Sequence, residues 1–284
     1  MSWDIIVVGG GPAGLSAALQ ARSRNKTVLV AGGAGRDGPL DRAERIDNYL
    51  GLPGLSGGEL AARFRAHAEE AGTVFKKGRV LNIMPSGGKF YVGIDSDVEE
   101  AGAVVLATGV VRGKKYPGEA GLLGRGVSYC ATCDGMLYRN KEVAVVGLSA
   151  DAAEEANFLH SLGCRVTYVS PGKPEGLDGG IPVVKAAQIE ILGAGSVSAL
   201  RAGEVELPCA GVFILRPSLA PADLLPGLAL EGNYIAVDRN MATNVPGVFA
   251  AGDCTGLPLQ VSKAVGEGLV AGHRAAEYLD KTAK

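Results

Sequence analysis

The sequence predicts an α/β protein built from two three-layer domains of nucleotide-binding type, the second inserted in the first. Three observations support this. The apolar run Asp4–Val8 leads without a break into Gly9-Gly10-Gly11-Pro12-Ala13-Gly14 and then into an Ala/Leu-rich stretch, the strand–turn–helix order in which a GxGxxG turn carries meaning. A second strand–turn–helix–strand unit begins at Glu142. Glycine supplies 43 of the 284 residues, about twice the usual ~7%. Hydrophobic runs separate these glycines, so they mark tight turns and close backbone approaches rather than a repeat.

The elements follow in order. Leu15–Arg22 reads as a helix and Thr27–Val30 as a buried strand, completing a first βαβ unit. Gly58–Ala71 has helical periodicity, 79–83 and 90–94 are weaker strands, and Ala103–Ala107 is a buried strand ending in Thr108-Gly109. The second unit comprises the strand Glu142–Val146, the turn Gly147–Ala152, the helix Ala153–Leu162 and the strand Arg165–Val169. Gly211–Leu215 and Tyr234–Val237 read as strands, Val248–Ala251 as a buried strand ending in Gly252-Asp253, and Lys263–Asp280 as an amphipathic helix. Pro, Gly and charged residues cluster at 111–118 and at Asp238-Arg239-Asn240, as they do where a chain crosses between domains. The expected division is a discontinuous outer domain, 1–111 and 241–284, around an inserted domain, 112–240, both Rossmann-like.

Composition excludes several functions. Twenty-eight Lys and Arg against 30 Asp and Glu give a net charge of −2, without the basic excess that phosphate backbones attract, so no nucleic-acid partner is expected. No apolar run reaches the ~18 residues of a membrane span, and no membrane partner is expected. Met1-Ser2-Trp3-Asp4 carries no basic stretch ahead of the first apolar run, so it does not read as a secretory signal and a cytoplasmic location is expected. In a reducing compartment the five cysteines, at 130, 133, 164, 209 and 254, are not a disulfide framework, and a close pair becomes a redox or metal candidate. Cys130 and Cys133 form that pair.

In the first turn, Gly9 permits the tight bend, Gly11 lets the backbone approach a pyrophosphate, and Gly14 allows close helix–sheet packing beside a helix N-terminus with N–H groups to offer. The second strand ends in Ala31-Gly32-Gly33, where an acidic ribose ligand is expected, so adenine-ribose contacts stay unassigned. The spacing Cys130-Ala131-Thr132-Cys133 suits half of a zinc site or a reversible disulfide. With no second CxxC, and with His67, His160 and His273 scattered, zinc is disfavoured and no metal is expected. Asp134 offers a carboxylate that takes and returns protons during thiol exchange, or an N-cap for the turn that follows. Cys164, Cys209 and Cys254 read as small buried residues, Cys254 close to any cofactor beside Asp253.

In this order and at these separations, Gly9–Gly14, Ala107-Thr108-Gly109, Cys130-Ala131-Thr132-Cys133-Asp134 and Gly252-Asp253 closely resemble the low-molecular-weight thioredoxin reductases, from Asp4 to about Leu279. The resemblance implies a homodimeric, FAD-dependent disulfide reductase. FAD would be held through Gly9, Gly11, Pro12, Ala13, Gly14, Gly38, Leu40, Asn48, Thr108, Gly109, Gly252, Asp253, Gln260 and Val261. Within this set Asp253 would hold the ribityl chain. Leu259-Gln260-Val261, at the start of the last helix, would lie near the pyrimidine edge, where a helix N-terminus favours an anionic reduced flavin. Cys130, Cys133 and Asp134 would be the catalytic set, with Cys133 facing the flavin, Cys130 attacking the disulfide of thioredoxin, and Asp134 as the acid/base.

The second turn departs from the pattern of NADPH-using members, which show a second GxGxxG/A turn and then basic residues for the 2′-phosphate. Ser149 stands where the second glycine belongs and projects a Cβ and a hydroxyl toward the expected pyrophosphate. Ser170-Pro171-Gly172-Lys173-Pro174 supplies no arginine and two prolines without N–H groups. In this respect the sequence resembles the ferredoxin-dependent flavin thioredoxin reductases, which implies reduced ferredoxin as donor, FAD as acceptor of single electrons, and transfer through the Cys130–Cys133 disulfide to thioredoxin. Ferredoxins are generally acidic, so Arg112/Lys114/Lys115, Lys76/Lys77/Arg79 and Arg22/Arg24/Lys26 are candidate docking patches. The alternatives are an NAD(P)H-dependent thioredoxin reductase in which Lys173 or Arg165 holds the phosphate, an FAD-dependent dithiol oxidase using oxygen, and a flavin-binding redox sensor.

Overall fold

The structure, a computed structural model, describes residues 2–32, 38, 40–110, 115–149, 151–172, 174–216 and 219–282. The first part of the chain holds β1 (Ser2–Val8), α1 (Pro12–Ser23), β2 (Val28–Gly32), α2 (Gly57–Glu70), β3 (Val74–Lys77), β4 (Val80–Ser86), β5 (Lys89–Ile94) and β6 (Asp97–Leu106). The middle holds α3 (Glu119–Leu122), β7 (Val127–Ser128), α4 (Ala131–Asp134), β8 (Glu142–Gly147), α5 (Ala152–Ser161), β9 (Arg165–Ser170), β10 (Val183–Lys185), β11 (Ile189–Leu192), β12 (Ala199–Ala202), β13 (Val205–Pro208) and β14 (Gly211–Leu215). The last part holds α6 (Pro221–Leu224), β15 (Leu230–Glu231), β16 (Tyr234–Ile235), β17 (Val248–Ala250) and α7 (Val261–Thr282). Two compact units result, Met1–Val111 with Ser218–Lys284, and Arg112–Pro217.

In the first unit, β3, β2, β1 and β6 lie side by side in parallel, β17 joins β6, and β5 and β4 extend the sheet antiparallel. Ile5–Val8 of β1 are buried, as a parallel strand covered on both faces requires. Ala13, Ala17, Ala18 and Ala21 of α1 share one core with Ala264, Ala271 and Ala275 of α7 and with Ile5, Val7, Val30 and Val105 of the sheet. The two helices approach closely because α7 has no side chain at Gly268 or Gly272, where a Cβ would lie 2.2 Å from Ala13 O and from Ala17 O respectively. Ser56 opens α2 through a reciprocal capping bond with Glu59.

In the second unit, β10, β9, β8, β14 and β7 form a parallel sheet. Val143, Val145, Phe213 and Leu215 pack there against Ala152, Ala156 and Leu159 of α5. A separate antiparallel sheet, β11-β12-β13, was not anticipated. Its strands are four residues each, too short for a periodic signal, and its solvent face is held by Arg201 pairing with Glu190 and Glu206.

The sequence places the return to the outer domain at 240/241, whereas in the structure the second division falls between 217 and 218. Residues 219–240 are tied to the outer segments: Ala229 N donates to Asn244 Oδ1 at 2.8 Å and Asn244 Nδ2 to Gly227 O at 2.9 Å. The cluster Asp238-Arg239-Asn240 is a turn inside that unit, closed by Asn240 N and Ala242 N donating to Asp238 Oδ1. Polar turn residues mark bends as readily as domain crossings. Tyr234–Val237 forms a strand over Tyr234–Ile235 only, paired with β15. Gly33, Arg112, Lys114, Ala150 and Lys173 lie outside the described residues.

Candidate functional site

In the first unit, β1 delivers its C-terminal end to the Gly9–Gly14 turn. Helix α1 begins at Pro12 with Gly11 as its cap and no side chain bonded to its first N–H groups, the arrangement that binds anions at helix N-termini. Gly9 has φ +114°, and a Cβ on it would lie 2.2 Å from Ala107 O; a Cβ on Gly14 would lie 1.9 Å from Gly9 O. At Gly11 a Cβ would meet nothing within 4 Å. Packing therefore demands Gly9 and Gly14, while Gly11 borders open space, as an approaching pyrophosphate needs. Thr108 and Gly109 follow β6 beside this turn, and the buried Thr108 hydroxyl has only the Cys254 thiol, a weak partner, among the described residues. A bound polar ligand would give this hydroxyl a stronger partner than a thiol. Ala251 N donates to Leu106 O at 2.9 Å, bringing Gly252 so close to α1 that a Cβ on it would lie 2.7 Å from Ala13 Cβ. The three glycine-bearing turns thus converge, as a dinucleotide cradle requires.

Asp253 is partly buried, and that burial pushes its carboxyl up while the Lys263 ammonium opposes the shift and Glu267 adds to it. Two residues missed in the sequence hold its loop. Lys263 Nζ donates to Gly252 O at 2.9 Å and Gly256 O at 2.7 Å, and Glu267 Oε2 accepts from Gly252 N and Thr255 Oγ1, each at 2.8 Å. Their i,i+4 spacing on the last helix was the available signal. Asn48 Nδ2 donates to Gln260 Oε1 at 2.9 Å, so Asn48, Gln260 and Val261, which opens α7, also come together. Gly38 and Leu40 lie on the connection from β2 to α2, where Gly38 N donates to Asp41 Oδ2 and Leu40 O abuts Gly57. Among the described residues, none of the contacts joining the three turns involves them.

In the second unit, Cys130 and Cys133 are disulfide-bonded, with their Cα atoms 5.4 Å apart. Cys130 caps α4, and Cys133 N donates to Cys130 Sγ at 3.1 Å. Cys130 is 5% exposed, whereas Cys133 is exposed. Asp134 bonds no backbone N–H as a cap; its Oδ2 accepts from Ser128 Oγ at 2.6 Å, and Ser128 Oγ also accepts from Cys130 N at 3.1 Å. Ser128, which nothing in the sequence marked, therefore links the carboxylate to the cysteine. Met136 and Leu137, just beyond, are 61% and 67% exposed, leaving an apolar surface next to the disulfide. The remaining thiols are buried, and burial pushes those of Cys209 and Cys254 up to about 11, leaving them unreactive.

The same unit contains a buried ion pair. Glu119, with no exposed surface, receives Arg216 at both oxygens, 2.7 and 2.8 Å, together with the Tyr129 hydroxyl and Tyr116 N, each at 2.8 Å. Burial alone pushes the Glu119 carboxyl up, but these four donors hold it below its ordinary value.

In two of the basic stretches considered for docking, most of the cations have partners within the chain. Lys76 pairs with Asp97 and Glu99, Arg79 is buried, Arg22 donates to Ala71 O and Lys26 O, and Arg24 and Lys26 both pair with Asp280. Charge runs in a sequence do not reveal such pairing.

A glycine cradle for a nucleotide cofactor in one unit and a disulfide with an adjacent carboxylate in the other define an oxidoreductase that works through a disulfide. Residues 3–173 and 178–268 match the family model described as pyridine nucleotide-disulphide oxidoreductase. A thioredoxin reductase of Aquifex aeolicus is 36% identical, covering 88% of this chain and 85% of its own. A solved ferredoxin-flavin thioredoxin reductase from Clostridium acetobutylicum superposes with a TM-score of 0.95 at 40% identity, covering 100% of this chain and 99% of that one. A thioredoxin reductase structure from Gloeobacter violaceus gives 0.86 at 34%, covering 100% and 96%. The chain belongs to the pyridine nucleotide-disulphide oxidoreductase family, as a thioredoxin reductase-type disulfide oxidoreductase with FAD as cofactor.

Proposed function

We propose that this chain reduces thioredoxin with electrons from reduced ferredoxin. The observation that carries the donor assignment is the second nucleotide turn. Tyr168 of β9 lies over Gly147, its hydroxyl 1.8 Å from where a Cβ on that glycine would be, so the ring covers the first glycine of the turn. Ser149 takes the place of the second, and Asp151 sets a carboxylate at the N-cap of α5, where a pyrophosphate would need positive potential. Arg165 opens β9, at the end away from the turn, and is paired with Glu142. The likeness to the Clostridium acetobutylicum protein supports the same donor.

The first-unit residues fit FAD. Gly9–Gly14 and the α1 N-terminus would take the pyrophosphate, Thr108 and Gly109 would line the approach, Asp253 would hold the ribityl chain, and Asn48, Gln260 and Val261 would border the ring. Gly38 and Leu40 join this set by resemblance. When bound, FAD accepts electrons singly and delivers the pair that a disulfide takes. Two electrons and two protons convert the Cys130–Cys133 bond to two thiols. Cys130 Sγ, toward which Cys133 N–H points, attacks one sulfur of thioredoxin's disulfide; a mixed disulfide forms and the other thioredoxin sulfur leaves, taking a proton. Cys133 Sγ then attacks Cys130 Sγ, re-forming the internal bond and releasing the second thioredoxin thiol. Because Cys130 is buried in the oxidised state, it must come to the surface before this attack. Asp134 Oδ2 takes and returns the protons.

Anaerobic titration tests the donor. Photoreduced ferredoxin is expected to bleach the flavin absorbance and then reduce thioredoxin, while NADPH leaves both unchanged; rapid bleaching by micromolar NADPH would overturn the assignment. Asp134→Asn is expected to slow thioredoxin reduction by about 10²–10⁴-fold with FAD content unchanged, the usual worth of a positioned acid/base, measured by stopped-flow. The resemblance adds a cytoplasmic homodimer, which sedimentation velocity of the holoprotein tests.

A further inference from the structure

We propose that Arg216, Glu119 and Tyr129 are positioning residues for the redox disulfide, a buried clasp that fixes the backbone at Cys130. The inference rests on this disulfide being the reacting group and not on the identity of the electron donor.

The clasp is fully built. Each Glu119 oxygen accepts two bonds, Oε1 from Arg216 Nη1 and the Tyr129 hydroxyl, Oε2 from Arg216 Nη2 and Tyr116 N. The Arg216 guanidinium also lies 5.3 Å from the centre of the Tyr116 ring. Arg216 and Tyr129 are each 8% exposed, so water does not compete for these contacts. A buried ion pair of this kind is often no more stabilising than a well-packed apolar substitute. What it supplies is direction, because a two-pronged guanidinium–carboxylate contact admits one orientation.

The topology shows where that direction goes. Arg216 directly follows β14, Glu119 opens α3, and Tyr129 directly follows β7, which pairs with β14 through Val127↔Val212 and Ser128↔Phe213. Tyr129 thus stands between Ser128 and Cys130. Its hydroxyl is pinned to Glu119 on one side, and its backbone joins the two residues whose side chain and N–H organise the site on the other. Cys130 N–H donates to Ser128 Oγ, and Ser128 Oγ donates to Asp134. Loosening Tyr129 frees this segment to move and changes how the Cys130 sulfur is presented to the Cys133 N–H and to Asp134. The thiolate and the disulfide would then differ in relative stability.

Tyr129→Phe keeps the ring and the ion pair and removes the hydroxyl that reaches Glu119. Two readouts avoid the donor altogether: the disulfide–dithiol equilibrium against dithiothreitol redox buffers, read by thiol alkylation, and the pH dependence of Cys130 alkylation by iodoacetamide in the reduced holoprotein. Tyr129→Phe is expected to shift the equilibrium constant by about threefold or more, a fraction of what one hydrogen bond to a charged group is worth, and to displace the alkylation profile. Arg216→Lys, which keeps the charge and loses the two-pronged contact, is expected to move both readouts in the same direction. Wild-type equilibrium and profile in the variants that fold, whatever their melting temperatures, would overturn the proposal, because a purely structural clasp lowers stability without touching either. Failure of ferredoxin to reduce the wild-type protein would bear on the donor alone.

Discussion

Cys130→Ser and Cys133→Ser are each expected to lower thioredoxin turnover by at least about three orders of magnitude, because neither leaves a pair able to carry two electrons. Flavin reduction by the donor should survive in both, which separates this loss from a failure to fold or to hold FAD. The variants should differ in what they trap. With Cys133 absent, nothing resolves the mixed disulfide, so Cys133→Ser should accumulate a covalent adduct with thioredoxin, visible on a non-reducing gel. Cys130→Ser should not. The reason lies in the local geometry: Cys130 Sγ receives the Cys133 N–H at 3.1 Å, which favours negative charge on that sulfur, as the proposed attacking thiolate requires. Adduct formation by Cys130→Ser instead would reverse the two roles, and the exposure of Cys133 in the oxidised state makes that a real contest.

Gly14→Ala and Gly11→Ala are expected to fail in opposite ways. A Cβ on Gly14 would lie 1.9 Å from Gly9 O and 3.1 Å from Val7 Cγ1, an overlap with backbone that rotamer changes cannot relieve. Helix and sheet must separate, and overpacking of this kind costs about 1–3 kcal/mol or more. The protein should melt lower and purify without yellow colour. A Cβ on Gly11 touches nothing within 4 Å, so Gly11→Ala should keep the melting temperature of the apoprotein. Its methyl would stand where the proposed reading places the pyrophosphate, and calorimetry with FAD should show weakened binding. A Gly11→Ala protein that binds FAD normally would remove the phosphate role from that position.

Much of this was legible in one dimension. The Gly9–Gly14 turn could be read because each glycine answers a local steric demand, and the structure places Gly9 and Gly14 against backbone carbonyls at the expected points. The CxxC pair was legible because its spacing confines both sulfurs to one turn, and the two are bonded. That Ser149 stands where the second glycine of such a turn belongs could be read from its place in the turn alone. Other features were hidden. Tyr168 over Gly147 joins two strands of a sheet, and no pattern in either strand announces it. The Arg216–Glu119 contact spans 97 positions, and in the sequence Arg216 looks like an ordinary charged residue after a strand. The basic runs around Arg22 and Lys76 looked like surfaces for an acidic partner until their ion pairs and carbonyl partners were seen.

By itself, then, the sequence determined the α/β class, the glycine turn between β1 and α1 and the close cysteine pair, because each depends on residue type and short spacing along the chain. The tertiary structure alone decided where the second crossing falls, which cations are already paired, what covers the second turn, and how Ser128, Tyr129 and a buried ion pair hold Cys130. Those outcomes depend on contacts between residues far apart in the chain, and such contacts exist only once the sheets have formed and brought their ends together.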